Sequence, residues 1–382
     1  MAPEEDGNGP EPTEAGSENT VNWGGDIYGS PNIDISQVNI EGVNPSEHAK
    51  ALAKIEVLEV KLAIVEAANK QNSTEEEIQA AGEALKVAGE LEEMGAKFDS
   101  WEQNKLARAA YWNANFEVSK KYCEQAIQGF RVSKDKHGEA SALINLGNIS
   151  ASTQEYAEAI EIYQKAARIC KELGDWEREV STLINIGTVS SRAASLFSRT
   201  GQERQDFLKL ALECYDAAVA ESLKHEFITL GVGCAMRNSA STHLKMGHLD
   251  EAEKAIKDGL TILKIFSIND ENKTHYYYGK FIMAEILLER GEFDRAEGLV
   301  HSTIESYNKL GLPPFEGEGY RLLGRIAWKK NDFVDSERHL RAYVRTRNEG
   351  GLSLPQWYTL HGFTNPDADW DFPPLEVDHN DS

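Results

Sequence analysis

A unit of about forty residues, rewritten several times with edits, constrains this chain more than any other feature. It is clearest over residues 139–178, EASALINLGNISASTQEYAEAIEIYQKAARICKELGDWER. Leu146-Gly147 lies in one stretch with helical apolar spacing, and Tyr156, Ala159, Tyr163 and Ala166 lie in the next. Glycine and alanine let two helices approach closely, while tyrosines and leucines fill the remaining space. With that pair as places seven and eight, the frame starts again near residues 100, 140, 180, 233, 277 and 317. The two places read Leu106-Ala107, Leu146-Gly147, Ile186-Gly187, Ser239-Ala240, Met283-Ala284 and Leu323-Gly324. Turn residues follow at Asn115-Phe116, Glu155-Tyr156, Gly247-His248, Gly291-Glu292 and Asn331-Asp332. A helical hairpin cannot bury its apolar side alone, so such units must stack. The expectation is an all-α solenoid of about six helix-turn-helix repeats over residues 99–348.

Two edits interrupt the frame. The third unit carries about a dozen extra residues within Ser190–Phe207, which predict longer helices and a loop at Arg199–Gln202. Leu312-Pro313-Pro314-Phe315 predicts a firm helix stop between the fifth and sixth units. Upstream, Ala51, Leu52, Ile55, Leu58, Leu62 and Val65 recur at helical spacing, then Asn72-Ser73-Thr74 breaks the pattern before a second helix ending near Met94. Residues 44–98 therefore read as a helical hairpin, serving either as an amino-terminal cap or as a dimerisation element.

The repeated residues resemble the tetratricopeptide-repeat family, in the long-repeat form of kinesin light chains and bacterial regulatory arrays. That resemblance implies a right-handed superhelix whose first helices line a concave, peptide-binding groove. It also implies that places two, five, six, nine, twelve and thirteen face inward. The sixth place is Asn145, Asn185 and Asn238 in three consecutive units, and Asn148 adds another amide one turn later. Asparagine is poor for helix stability, because its amide competes for backbone groups. A row of it resembles the asparagine ladder with which such arrays clamp an extended peptide. Amides bridging neighbouring repeats are the alternative.

The inward places also collect Arg108, Arg192, Arg237, Lys245, Arg321, Arg325 and Lys329, with Trp101, Trp112 and Trp328 as apolar anchors. Such a surface suits an acidic peptide with aromatic anchors. Ordinary solvated charges are the alternative. The carboxyl-terminal run Asp369-Trp370-Asp371-Phe372 fits that chemistry and resembles the tryptophan-acidic cargo motifs of kinesin light chain arrays. It is expected to act as an internal ligand, with Trp357 and Phe363 instead capping the last repeat.

Net charge is −23, but its placement matters more than its size. Ten acidic residues precede Lys50 and seven follow Asn348, none offset by Lys or Arg, which leaves −6 on residues 50–348. Tight nucleic-acid binding needs a basic stripe that releases phosphate counterions, so it is not expected. Residues 1–43 read as an acidic leader in which Ile33, Ile35, Val38 and Ile40 alternate as in short strands; disorder fits equally well. Residues 349–382 read as an acidic, aromatic tail.

No phosphate-binding, nucleophile-elbow, zinc or calcium motif occurs, so no catalytic residue, metal or cofactor is expected. Cys123, Cys170, Cys214 and Cys234 fall singly within helical patterns, as small reduced core residues do. Without an apolar run near the ~18 residues of a membrane span, a cytoplasmic setting is expected. The leading expectation is a non-catalytic scaffold or adaptor binding protein partners through acidic, aromatic segments. The alternatives are a self-assembling structural subunit, including a homodimer through 44–98, and a sensor in a bacterial signalling or defence system.

Overall fold

The computed structural model describes residues 45–67, 75–197, 201–268, 270–310 and 313–347. The expected leader and tail, including Asp369, Trp370, Asp371 and Phe372, lie outside the described residues. Among the described residues there are fourteen α-helices and no strand. The chain opens with α1 (Pro45–Ala67) and α2 (Glu75–Glu93). Six further pairs follow: α3 (Ser100–Trp112) with α4 (Phe116–Ser133), α5 (Lys136–Ser152) with α6 (Tyr156–Leu173), and α7 (Trp176–Ala193) with α8 (Gln202–Lys224). Then come α9 (Leu230–Lys245) with α10 (Leu249–Phe266), α11 (Asp270–Glu289) with α12 (Phe293–Leu310), and α13 (Pro313–Lys329) with α14 (Phe333–Arg347).

Local chemistry fixes the helix ends. Asp99 and Glu102 form a reciprocal capping box at the start of α3. The Asp135 carboxylate accepts from the Gly138 amide at 2.9 Å, and Asp175 from Arg178 at 3.2 Å. These caps start α5 and α7 four residues before the expected frames at 140 and 180. Between paired helices the chain turns through a left-handed residue at Ala114, Gln154, Gly247, Gly291 and Asn331. Pro313 and Pro314 stand in the first turn of α13, where a missing amide hydrogen costs nothing. They begin a helix as well as separating it from α12. In the third pair, the extra residues lengthen α8 to 23 residues and form a short 3-10 turn at Ala194–Leu196.

The small residue at place eight is a packing requirement. A Cβ added at Gly147 would stand 2.6 Å from the Tyr163 ring, and one at Gly187 2.7 Å from Tyr215. First and second helices of a pair could not close with a larger residue there.

The chain divides into two units, one through Ile286 and one from Leu287. In the first, a single apolar cluster runs from Ile55, Leu58 and Leu62 of α1 through Leu91, Leu106 and Phe130 to Tyr163 and Ile186. The α1–α2 pair thus shares its core with the first repeats. First helices also touch one another, α1 on α3, α3 on α5 and α7 on α9. In the second unit, α12 and α14 pack on α13, with Val300, Tyr307, Leu322, Ile326 and Leu340 buried.

Candidate peptide-binding face

The row formed by α3, α5, α7 and α9 carries most of the expected site residues. At its amino-terminal end the amides are internal. Asn145 is buried and its Nδ2 donates to Asn104 Oδ1 at 2.8 Å, while Asn104 Nδ2 donates to Ser141 Oγ at 3.1 Å. This is an inter-repeat bridge between α3 and α5. Asn148 is fully buried, and its Oδ1 accepts from the Tyr163 hydroxyl. Its Nδ2 has no hydrogen-bond partner among the described residues. Asn185 is also buried, on α7.

Further along, the row becomes cationic. Arg192 is half-buried near the end of α7, and Lys245 is exposed on α9 with its Nζ donating to Ser191 Oγ at 3.3 Å. Arg237, one place before Asn238, is only 5% exposed. Its Nε and Nη2 donate to Asn238 Oδ1 at 3.2 and 3.0 Å, and Nη1 lies 3.3 Å from His275 Nδ1. The guanidinium also stands 5.0 Å from the centre of the Tyr278 ring. Among the described residues no carboxylate pairs with it. A buried cation whose partners are all neutral retains its charge and can accept an anion.

The surrounding titrations carry the same mark. Burial, then the Arg237 charge, lowers His275 to about 4, so its ring is neutral near pH 7 and Nδ1 can accept. Burial raises Tyr215 to about 12 against the smaller, opposing pulls of its Thr188 and Asn238 hydrogen bonds and the Arg237 and Arg192 charges. Both cations therefore act on one phenol.

Other expected residues fall elsewhere. Trp101 packs edge-on against Phe130 and donates from Nε1 to Asp135 at 3.2 Å, and Arg108 lies over the buried Trp112 ring. In the second unit, Arg321 Nε donates to Glu318 and Arg325 Nη2 to Glu289, each at 2.8 Å. Trp328 there stacks edge-on with Phe333, beside the exposed Lys329. Asn104, His275 and Tyr278 were not anticipated. Asn104 sits 41 residues before Asn145, and His275 sits 38 after Arg237, each close to one repeat period.

All four cysteines are buried free thiols, and burial raises Cys170 and Cys214 to about 12, far from a reactive thiolate. Among the described residues no three His, Cys, Asp or Glu side chains gather as a metal site. No helix there is long and apolar enough to cross a membrane.

Family models described as Tetratricopeptide repeat match residues 101–172, 139–195 and 283–350. Residues 101–195 and 283–350 are thus built of tetratricopeptide repeats. It is 31% identical over 110 residues to "Regulatory protein AfsR" of Streptomyces coelicolor, a match covering 29% of this chain and 11% of that protein. The chain therefore spans only about a tenth of that relative. Among solved structures it is similar to a Pyrococcus horikoshii Signal Transduction ATPase with Numerous Domains that has a tetratricopeptide repeat sensor. The TM-score is 0.56 at 14% identity, covering 84% of this chain and 49% of that one. Aspartyl phosphate phosphatase F of Bacillus subtilis gives 0.54 at 15% identity, covering 84% and 80%. At these identities the likeness is one of fold, that of an all-α tetratricopeptide array.

Proposed function

We propose that this chain is a non-catalytic regulatory scaffold whose inner helical row binds an anionic peptide segment of a protein partner. The observation that carries this reading is Arg237, a buried guanidinium with only neutral neighbours among the described residues. A peptide carboxylate would supply the missing charge, and Tyr278 would bound the site with an aromatic face. Arg192 and Lys245 lie along the same row and would steer an acidic segment toward it. Asn238, half-buried beside Arg237, would be the amide that holds the peptide backbone, whereas Asn185 is buried away from it. The chain's own Asp369-Trp370-Asp371-Phe372 has the matching chemistry and acts as a tethered competitor, at an effective concentration on the order of millimolar.

A regulatory role, as sensor of a larger signalling protein, is favoured over a purely structural one by two comparisons. A 110-residue segment is shared with the regulatory protein of Streptomyces, and the Pyrococcus protein carries its repeats as a sensor.

Fluorescence polarisation tests the reading. A labelled peptide of residues 366–376 is titrated with the full chain carrying Asp369→Asn, Trp370→Ala, Asp371→Asn and Phe372→Ala, which disables the internal competitor. Saturable binding that weakens with salt, is lost with Arg237→Met and is weaker with the native tail is expected. Absence of binding at high protein concentration removes the tail as a ligand, and binding indifferent to Arg237→Met removes the site.

A further inference from the structure

The first helix is apolar on two opposite faces. Ala51, Ile55, Leu58, Leu62 and Val65 are buried against the rest of the first unit. Two residues out of phase, Ala53, Val57, Val60 and Ile64 face outward, with Val57 46%, Val60 60% and Ile64 36% exposed. Their spacing of four, three and four residues is the heptad spacing of a coiled-coil seam. An ordinary surface helix is polar on its outer side. This one presents a second seam with no partner among the described residues.

The charges beside the seam say what fits it. Taking Val57 and Ile64 as a positions and Ala53 and Val60 as d positions, Lys54 and Lys61 fall at e and Glu56 at g. Lys54 pairs with Glu90 and Lys61 with Glu83, both on α2, so that edge is already fixed in place. Glu56 is exposed on the opposite edge. In a parallel pair, g of one helix meets the following e of the other, so Glu56 meets Lys61 of the second copy, twice by symmetry. An antiparallel pair would instead set Lys54 against Lys61 across the seam.

Length does not forbid it. An isolated seam of about two heptads is marginal, because its helices must form as they pair. Here α1 is already held helical by its inner face, so association need not supply that cost. We infer that α1 forms a parallel, in-register, two-fold contact with a second copy of this chain, through Ala53, Val57, Val60 and Ile64. The array is then displayed as a pair.

Sedimentation velocity of the full chain across a concentration series tests this. The expected species has twice the 42.5 kDa chain mass. Val60→Glu places two carboxylates at one layer and should weaken the dimer by roughly a hundredfold or more, with the helical circular dichroism unchanged. Val132→Glu, at an 80% exposed site on α4, should leave the dimer intact. Ala53→Cys should crosslink to itself under mild oxidation, since the native thiols are all buried. A monomer at every concentration, or a dimer indifferent to Val60→Glu, overturns the inference. So does crosslinking of Ala53→Cys only to Ile64→Cys, which is the antiparallel signature. A dimer whose contact Val132→Glu abolishes also overturns it.

Discussion

Between α3 and α5, Asn145 donates to Asn104 and Asn104 to Ser141, a chain of neutral groups closed within the core. Between α9 and α11, Arg237 meets Asn238, His275 and the Tyr278 ring, and its positive charge is answered by no carboxylate among the described residues. Both stretches occupy the same part of the repeat frame, and both bury their polar groups. The difference is one of balance. A neutral amide chain satisfies itself and holds two repeats together, whereas a buried cation among neutral partners holds a charge that only an anion can cancel. The inner row thus changes along its length from a closed neutral network to a buried charge without a counter-ion among the described residues.

The largest effect expected is at the cohesive end. Asn104→Ala strips Asn145 of its acceptor and Ser141 of its donor inside the core. Leaving buried polar groups unmatched should cost about 2–3 kcal/mol, read as a lower urea midpoint with an unchanged m-value. A loss below roughly 0.5 kcal/mol, the range of ordinary surface changes, would mean that the bridge is replaced by water and is not a source of cohesion.

Arg237→Met should behave differently. Removing one member of a buried ion pair is costly because the other charge is left behind; here no opposite charge remains. Loss of the Tyr278 contact and of the donors to half-buried Asn238 Oδ1 and His275 Nδ1 is opposed by the gain from the missing desolvation, so the net loss should be smaller than that of Asn104→Ala. Circular dichroism melts of the two variants side by side are the check. An Arg237→Met loss as large as that of Asn104→Ala would make the guanidinium a structural group and erase the contrast.

How far each stretch can be read from sequence follows from the same physics. Gly147 and Gly187 announce the fold because a ring lies directly on each, a steric demand that one residue type meets. The frame nevertheless begins four residues late at α5 and α7, since the capping aspartates Asp135 and Asp175 precede the apolar periodicity. Pro313-Pro314 marks a boundary in sequence, but only the structure shows that the pair opens α13. The amides were visible as a row, whereas their partners were not. Asn104 and His275 act across repeats, and their register depends on how neighbouring hairpins stack. Whether an Asn bridges or faces outward depends on the neighbouring repeat as much as on its own place in the frame.

The smallest effect in the intact chain should appear in its pH dependence, because the two ends oppose each other. At the cohesive end, Glu102 is buried on α3, and burial followed by the Asp99 charge raises its carboxyl to about 7. The folded chain then holds a proton that the unfolded chain has released, so this contribution falls as pH rises from about 4.5 to 7. At the cationic end, His275 is lowered to about 4, and the unfolded chain binds the proton first. That contribution is fully present above about 6.5 and is lost as pH falls toward 4. Across the overlap these two slopes oppose each other, while His243 and His339, also lowered by burial, add to the His275 side. Glu102→Gln removes one slope and should leave a chain in which His275 contributes a loss of about 2 kcal/mol on acidification from pH 7 to 5. His275→Asn removes the other and should leave one that gains a similar amount. Urea midpoints at the two pH values separate them, and a flat profile in both variants would refute the assignment. An anionic peptide at Arg237 sharpens the comparison further. By offsetting the guanidinium it removes part of the push on His275, so bound chain should show a shallower His275 slope while the Glu102 slope stays unchanged.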